Sequence, residues 1–377
     1  MTSGYILVTG GAGYIGSHTT LCLLQNGYKV IIVDNLCNSY SESISRVKDI
    51  SGCKSSDLLF FKLSVNNKKK LSAVFNKYPI DAVIHFAGLK SVSESIRDPL
   101  SYYHNNVTAT CTLLECMEAA GCYKIVFSSS ATVYGNAKDE FIKEDAPVSP
   151  LTPYGRSKLM CEEVIKDSCI SNPSMCAAIL RYFNPVGCHK SGLIGENPKN
   201  APNNLMPCVT DAMMKKVPMK LYGEDYATHD GTAVRDFIHV EDLAAGHLAA
   251  LRKLQSIQVS FCKIYNMGNG VGSSVKEVIF TMETVTGVTV PFVVSPRRPG
   301  DAEKVVACPD RAFSELKWKP VKKLEDMCSS AWNWKYSNPD GYKMEKKMNF
   351  GGNHKVMLTK LKKNFSFIDH ISISRAA

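Results

Sequence analysis

Tyr5-Ile6-Leu7-Val8 is a short apolar run that leads straight into Thr9-Gly10-Gly11-Ala12-Gly13-Tyr14-Ile15-Gly16. Glycines at 10, 13 and 16 tolerate positive φ and let an anion approach the backbone closely. An apolar segment at Leu21 to Leu24 follows at helical distance, so the loop sits where a strand ends and a helix begins. The free N–H groups of that helix point at the loop, which suits a pyrophosphate. A glycine loop alone is as readily a tight turn; the strand–loop–helix setting is what favours the anion site. A second apolar run, Lys29 to Val33, ends at Asp34, 24 residues after Gly10. A carboxylate there accepts hydrogen bonds from an adenosine ribose and repels a 2′-phosphate, favouring NAD over NADP. Asp34 is otherwise a residue that opens a turn.

More apolar runs follow at Ala82 to Phe86, Lys124 to Phe127 and Cys176 to Leu180, with helical segments at Leu71 to Lys77, Asn106 to Ala120 and Pro153 to Asp167. Strands without polar interruption are covered on both faces. Their alternation with helices predicts an α/β fold of the Rossmann type, a doubly wound parallel sheet, over residues 1–185. After Asn184-Pro185 glycine, proline and asparagine become frequent, and shorter elements run to about Tyr342. These are expected to form a smaller mixed α/β substrate lobe over 186–342, with the chain free to cross between lobes.

The net charge of +10 raises the question of nucleic acid, but it is unevenly placed. Segment 343–377 holds seven lysines and one arginine against Glu345 and Asp369, leaving the preceding 342 residues at only +4. No zinc-finger or RNP-type pattern accompanies the charge, so no nucleic-acid partner is expected. The basic segment reads as a solvated extension, or, since Phe350, Phe365, Phe367 and Ile368 punctuate it, as a docking segment for an unidentified acidic partner or membrane surface. The 14 cysteines form no C-x-x-C pair, so no metal site is expected and the thiols read as reduced and mostly buried. No apolar run approaches the roughly 20 residues of a membrane span. With no basic leader before the first strand, a cytoplasmic location is expected.

Tyr154-Gly155-Arg156-Ser157-Lys158 is a Y-x-x-x-K pattern, as are Tyr134…Lys138 and Tyr342…Lys346. Only Tyr154 follows a helix-opening pair, Thr152-Pro153, and leads into an amphipathic segment. A spacing of four puts its phenol and the Lys158 ammonium on one helical face. A phenol of pKa near 10 must fall by about three units, roughly 4 kcal/mol, to act as a base near neutrality. An adjacent ammonium and an oxidised nicotinamide are suited to that. Ser130 closes the triplet Ser128-Ser129-Ser130 after the Lys124 to Phe127 run; it is either a hydroxyl facing the ligand or part of a simple turn.

Gly10 to Gly16, the block Ser128-Ser129-Ser130-Ala131-Thr132-Val133-Tyr134-Gly135 and Tyr154…Lys158 together resemble the extended short-chain dehydrogenase/reductases. Within them the chain is similar to the UDP-sugar 4-epimerase branch over about residues 3 to 342. The likeness extends through Asp34 to Ser39, His85 to Lys90, Arg181 to Pro185, Pro202 to Pro207, Val234 to His239 and Arg297 to Asp301. It implies that Tyr154 removes the proton of the sugar O4, that Lys158 lowers the phenol's pKa, and that Ser130 bonds O4. It further implies a tightly held NAD, a 4-keto sugar intermediate and a homodimer. The positions matching cofactor contacts are Gly10, Gly13, Tyr14, Ile15 and Gly16 in the loop, then Asp34, Asn35, Asn38 and Ser39. Ser64, Val65, Phe86, Ala87, Gly88, Lys90, Asn105 and Phe183 complete them with Tyr154 and Lys158. Those matching UDP-sugar contacts are Ser130, Tyr154, Asn184, Asn204, Leu205, Tyr222, Arg235, Arg298, Asp301 and Val305. Related dehydratases carry an Asp-Glu pair where this chain has Ala131 and Thr132, and neither of these can serve the acid–base steps of elimination. Two departures stand out: Leu63-Ser64 replaces the usual Gly-Asp pair near the adenine, and segment 343–377 extends past the family's usual end. Val305 occupies the place that limits room around the sugar's 2-substituent. A side chain this small implies that N-acetylated UDP-hexosamines are interconverted as well, unless Val305 merely packs.

Overall fold

The computed structural model describes residues 4–342 except 138, 200–203, 258 and 299–300. Segment 343–377, with the docking expectation attached to it, lies outside the described residues, as do Pro202-Asn203 and Pro299-Gly300 of the family blocks.

The first strands and helices alternate as the apolar runs predict. They are β1 (Tyr5–Thr9), α1 (Tyr14–Gln25), β2 (Lys29–Asp34), α2 (Glu42–Ser51), β3 (Leu58–Lys62), α3 (Lys68–Lys77) and β4 (Ile80–His85). Two short helices, α4 (Val92–Arg97) and α5 (Pro99–Tyr102), precede a π-helical turn at Tyr103–Thr108 and α6 (Ala109–Ala119), so the expected helix from Asn106 opens with a wider turn. Then come β5 (Lys124–Ser130), a 3₁₀ turn at Ala131–Tyr134, α7 (Pro153–Ser171) and β6 (Cys176–Tyr182). Val30 to Val33, Ile125 and Val126, and Ala177 to Leu180 have no exposed surface, as strands covered on both faces require.

The second half of the chain holds β7 (Asn184–Val186), α8 (Leu205–Lys215), β8 (Met219–Tyr222), β9 (Val234–His239), α9 (Val240–Ser256) and β10 (Phe261–Met267). After these come β11 (Gly272–Ser274), α10 (Val275–Thr286), β12 (Phe292–Ser295), β13 (Lys304–Val305), α11 (Asp310–Leu316) and α12 (Leu324–Ser337). The segments expected as two lobes interleave, because the chain returns to the large sheet after residue 185. β10 pairs in parallel with β6, Cys262 opposite Ala177 and Met267 opposite Tyr182. α9 packs on α1, its Leu243, Leu248, Leu251 and Leu254 joining the core around Ile6, Val8 and Leu23.

The large sheet has the order β10-β6-β5-β4-β1-β2-β3 with every pairing parallel. All its strands therefore end on one side. The order reverses between β1 and β4, and ligands of open α/β sheets bind in the crevice beyond such a reversal. Gly10, Asp34, Phe86, Ser130 and Phe183 each lie at or just past a strand end there. A smaller sheet centres on β9, flanked by β11, β13 and β7, with β8 and β12 paired beside it. Its core joins Val209, Phe237, Met282 and Met327.

Candidate active site

The glycine loop is fixed by close backbone packing. Gly10 has φ of 70° and donates its N–H to the Val33 carbonyl at 2.8 Å. A Cβ on Gly16 would stand 2.3 Å from the Gly10 carbonyl oxygen, so that position admits nothing larger than hydrogen. Gly13 is the N-cap of α1 and offers no side chain to its first N–H groups, which are left to bind an anion. Ile15 packs into the core beneath, and the Tyr14 hydroxyl donates to the Gly187 carbonyl at 2.5 Å, joining the loop to the second half of the chain.

Asp34 opens a turn and also braces the glycine loop. Its Oδ1 accepts from Leu36 N at 2.8 Å and Ser39 Oγ at 2.9 Å, as a turn-opening residue does, while Oδ2 accepts from Ala12 N at 3.1 Å and braces the glycine loop. Leu36 takes a φ of 61°, which a side chain rarely adopts. Asn35 accepts from Cys37 N, and Asn38 from Lys199 N. Leu63 N reaches the Asp34 carbonyl at 3.2 Å, bringing partly buried Ser64 and buried Val65 alongside. Two residues on, the Asn66 amide oxygen is buried without a partner, an acceptor placed for a donor this chain does not itself supply. Donor loop, carboxylate and spare acceptor together fit a dinucleotide.

Past β4, Phe86 N donates to the Thr9 carbonyl and Ala87 N to Thr9 Oγ1. Gly88 leaves room for the Lys158 ammonium, which would stand 3.6 Å from a Cβ there. Asn105 donates to Asn106 within the π-helical turn, and Phe183 is buried with its N–H on the Met267 carbonyl.

α7 presents the acid–base groups. Thr152 Oγ1 caps it by accepting from Gly155 N at 3.2 Å, and Pro153 supplies its first turn. Ser130 Oγ accepts from Thr132 N at 3.2 Å and Thr132 Oγ1 at 3.0 Å, which leaves its own proton to donate toward the Tyr154 phenol, and the Tyr102 ring meets Tyr154 edge-on at 6.4 Å. Burial pushes the phenol's pKa up; the Ser130 hydrogen bond and the Lys90 ammonium pull it back. Lys158 is buried and donates to the Ser128 carbonyl at 2.7 Å, and burial lowers its pKa. Lys90, which the resemblance places among the cofactor contacts, is thus also a cation that favours the phenolate.

The substrate-side residues gather around the small sheet. Arg298 Nε pairs with Asp301 Oδ2 at 2.7 Å, and Arg235 Nη2 lies 3.8 Å from Asp301 Oδ1. One carboxylate thus carries two guanidinium groups, which leaves surplus positive charge for phosphate oxygens. The Arg298 guanidinium lies 5.0 Å over the Tyr222 ring. Asn184 Nδ2 donates to the Asp236 carbonyl, and Asn204 and Leu205 form the start of α8. Val305 packs beside Phe183 and Val133. Two residues escaped the sequence. Tyr226, electrostatically coupled to Arg235 and Arg298, keeps a buried hydroxyl without a partner. Glu196 accepts from Lys90 Nζ at 2.9 Å and from Asn204 Nδ2 at 3.0 Å. A lone tyrosine or glutamate outside any periodic run gives no sequence signal. Among the described residues no cluster of ligating side chains could hold a metal ion.

Residues 6–268 match the NAD dependent epimerase/dehydratase family. UDP-glucose 4-epimerase 2 of Arabidopsis thaliana is 50% identical over 338 residues, 89% of this chain and 96% of that protein. A UDP-glucose 4-epimerase structure from Stenotrophomonas maltophila, with bound NAD and formylated UDP-arabinopyranose, superposes at TM-score 0.86. It is 43% identical, over 89% of this chain and 99% of that one. The Bifidobacterium longum enzyme in complex with NAD+ and UDP gives 0.85 at 44% identity, over 89% and 99%. A glycine loop fitted to a dinucleotide, a Ser130–Tyr154 pair above it and two arginines on one acid therefore have a common origin with these enzymes: the chain belongs to the NAD dependent epimerase/dehydratase family and, within it, to the UDP-glucose 4-epimerases.

Proposed function

We propose that this chain interconverts UDP-galactose and UDP-glucose by inverting C4, with NAD held by residues of the glycine loop, Asp34 and the segments ending β3 and β4. The observation that carries the reading is the placement of Ser130, at the end of β5, and Tyr154, in the first turn of α7, on the strand-end side of the sheet where the glycine loop also lies. When bound, NAD supplies a two-electron acceptor that is regenerated within each turnover, so the sugar passes through a 4-keto form with no net oxidation. Tyr154 takes the O4 proton and returns it, and Ser130 holds the phenol and O4 in one hydrogen-bonded line. Lys158, anchored on the Ser128 carbonyl, places positive charge beneath the crevice. Arg235 and Arg298 receive the diphosphate, with the Tyr226 hydroxyl as a further donor. Ala131 and Thr132 offer no acid or base for elimination, which favours epimerase over dehydratase.

Val305 packs against the cluster that includes Phe183 and is only partly buried. Its size supports turnover of UDP-N-acetylglucosamine and UDP-N-acetylgalactosamine as well. Val92, Ile96, Leu100 and Met160 expose 41, 63, 77 and 46% of their surface on α4, α5 and α7, which pack together. An apolar face of this kind supports a homodimer. The small sheet and α8 form the UDP-sugar lobe in this reading, and the cytoplasm is its location. Among the described residues no helix is long and apolar enough to cross a membrane.

Purified protein given UDP-galactose without added NAD should form UDP-glucose. A stoichiometric demand for external cofactor would point instead to a net nucleotide-sugar oxidoreductase, and binding without turnover to a non-catalytic sensor.

A further inference from the structure

Gly195-Glu196 lies between β7 and α8 and belongs to no motif of the sequence. Its backbone is gripped from one side. Gly195 N donates to the Tyr342 hydroxyl at 3.1 Å, and Trp334 Nε1 donates to the Glu196 carbonyl at 3.1 Å. A Cβ on Gly195 would come within 2.5 Å of the Trp334 ring and 2.6 Å of Cys188 Sγ, so only glycine lets the chain lie this close. The carboxylate delivered by this seat keeps 10% of its side-chain surface exposed. Its Oε1 accepts from two residues of different origin: Lys90 Nζ at 2.9 Å, from the loop after β4, and Asn204 Nδ2 at 3.0 Å, at the start of α8.

We propose that Glu196 is a positioning residue for the epimerisation, tying the cofactor-side Lys90 to the substrate-side Asn204. It sets how much of the Lys90 charge reaches the Tyr154 phenol and how the UDP-sugar is seated. The proposal rests on the reading of Tyr154 as the base and adds a residue that touches neither the phenol nor the reacting atoms. Lys90 and Tyr154 act on each other electrostatically. The other titratable groups around them are Lys158 on α7, Tyr102 on α5, Tyr182 at the end of β6, and Tyr14 and Cys188 beside Glu196. Among these Glu196 alone supplies a carboxylate to Lys90. With that carboxylate gone, the ammonium acts unneutralised and favours the phenolate. The phenolate is the working form of a base, so the acid limb of kcat moves to lower pH. The effect is modest because the Lys90 side chain is half exposed and its field is screened.

The test uses the full chain loaded with NAD and the conversion of UDP-galactose. Glu196→Gln keeps an oxygen for Asn204 but loses the charge; Glu196→Ala loses both. Glu196→Ala should raise KM by about fivefold, the scale of one lost hydrogen bond. Glu196→Gln should restore KM to within about twofold of the parent while shifting the acid limb of kcat down by about half a pH unit. Adding Lys90→Ala should abolish that shift. A merely structural role would lower the unfolding temperature and kcat alike in both variants and leave the acid limb in place. The proposal is overturned if the Glu196→Gln acid limb coincides with the parent's, or if Glu196→Ala keeps the parental KM. Should Tyr154→Phe retain the parental acid limb, the base assignment falls and this proposal with it.

Discussion

Glu162 and Arg181 form the most deeply buried ion pair among the described residues, with side chains 0 and 2% exposed. Glu162 lies one turn beyond Lys158 on α7. It accepts from Arg181 Nε at 3.0 Å and Nη2 at 2.6 Å, and from Ser129 Oγ at 2.5 Å. The pair therefore clamps the helix of Tyr154 to β5, beside Ser130, and to β6. Glu162→Ala would leave the guanidinium with only the Glu144 carbonyl at 3.2 Å and the face of Tyr134 at 4.7 Å. An uncompensated buried charge costs about 3–5 kcal/mol, a large share of the roughly 5–15 that stabilise a native protein. With an unfolding entropy of about 2.1 cal/mol/K per residue over some 340 residues, that corresponds to a Tm lower by about 4–7 °C. Replacing both partners with methionine removes the stranded charge, so the double variant should lose less than the sum of the singles. Thermal unfolding of the four NAD-loaded proteins, with kcat measured alongside, tests this. A Tm drop below about 1 °C for Glu162→Ala, or strict additivity, would refute the idea that this pair holds α7 in register with Ser130.

Gly16→Ala puts a methyl group where the Gly10 carbonyl stands 2.3 Å away, so it should yield folded protein that loses NAD on gel filtration; retention at the parental level would contradict the loop's role. Val305→Tyr should remove turnover of N-acetylated UDP-hexosamines at least tenfold more than that of UDP-galactose, a discrimination of about 1.4 kcal/mol, and equal losses would show that Val305 only packs. His18 and His85 are buried with pKa values lowered by desolvation to about 3, and His239 and His247 likewise to about 4. Because the folded chain resists protonation, their contribution to stability is complete above pH 6.5 and lost as pH falls from there toward about 4 for His239 and His247 and about 3 for His18 and His85. The slope is at most about 1.4 kcal/mol per pH unit for each; a Tm unchanged between pH 7.5 and 5 would exclude it.

The crevice was legible in the sequence because its parts are local. A glycine loop directly after an apolar strand, Asp34 ending the next strand, and Thr152-Pro153 ahead of Tyr154 each declare their place through neighbours within a few residues. What stayed hidden depends on pairing across the chain. Phe261–Met267 alternates too little to announce itself as a seventh strand, and only its register against β6 puts it in the large sheet. The spacing of Tyr154 and Lys158 correctly places both on one helical face. It cannot foretell that the Ser128 carbonyl captures the ammonium, or that Lys90 from another loop pairs with Glu196. The Asp34 carboxylate suits a ribose ligand and a turn opener alike in sequence; the fold shows the turn through Oδ1 and adds, through Oδ2, a brace on the glycine loop that no local pattern announces.

The central claim is that a helix-borne phenol, beside a dinucleotide kept by the chain, moves the sugar's O4 proton. The most direct measurement is conversion of UDP-galactose by the protein as purified, with no cofactor added, for the parent chain and Tyr154→Phe at equal NAD content. The parent should produce UDP-glucose, and the variant should be slower by about 10²–10⁴ with its fold and NAD unchanged. Equal rates would contradict the account.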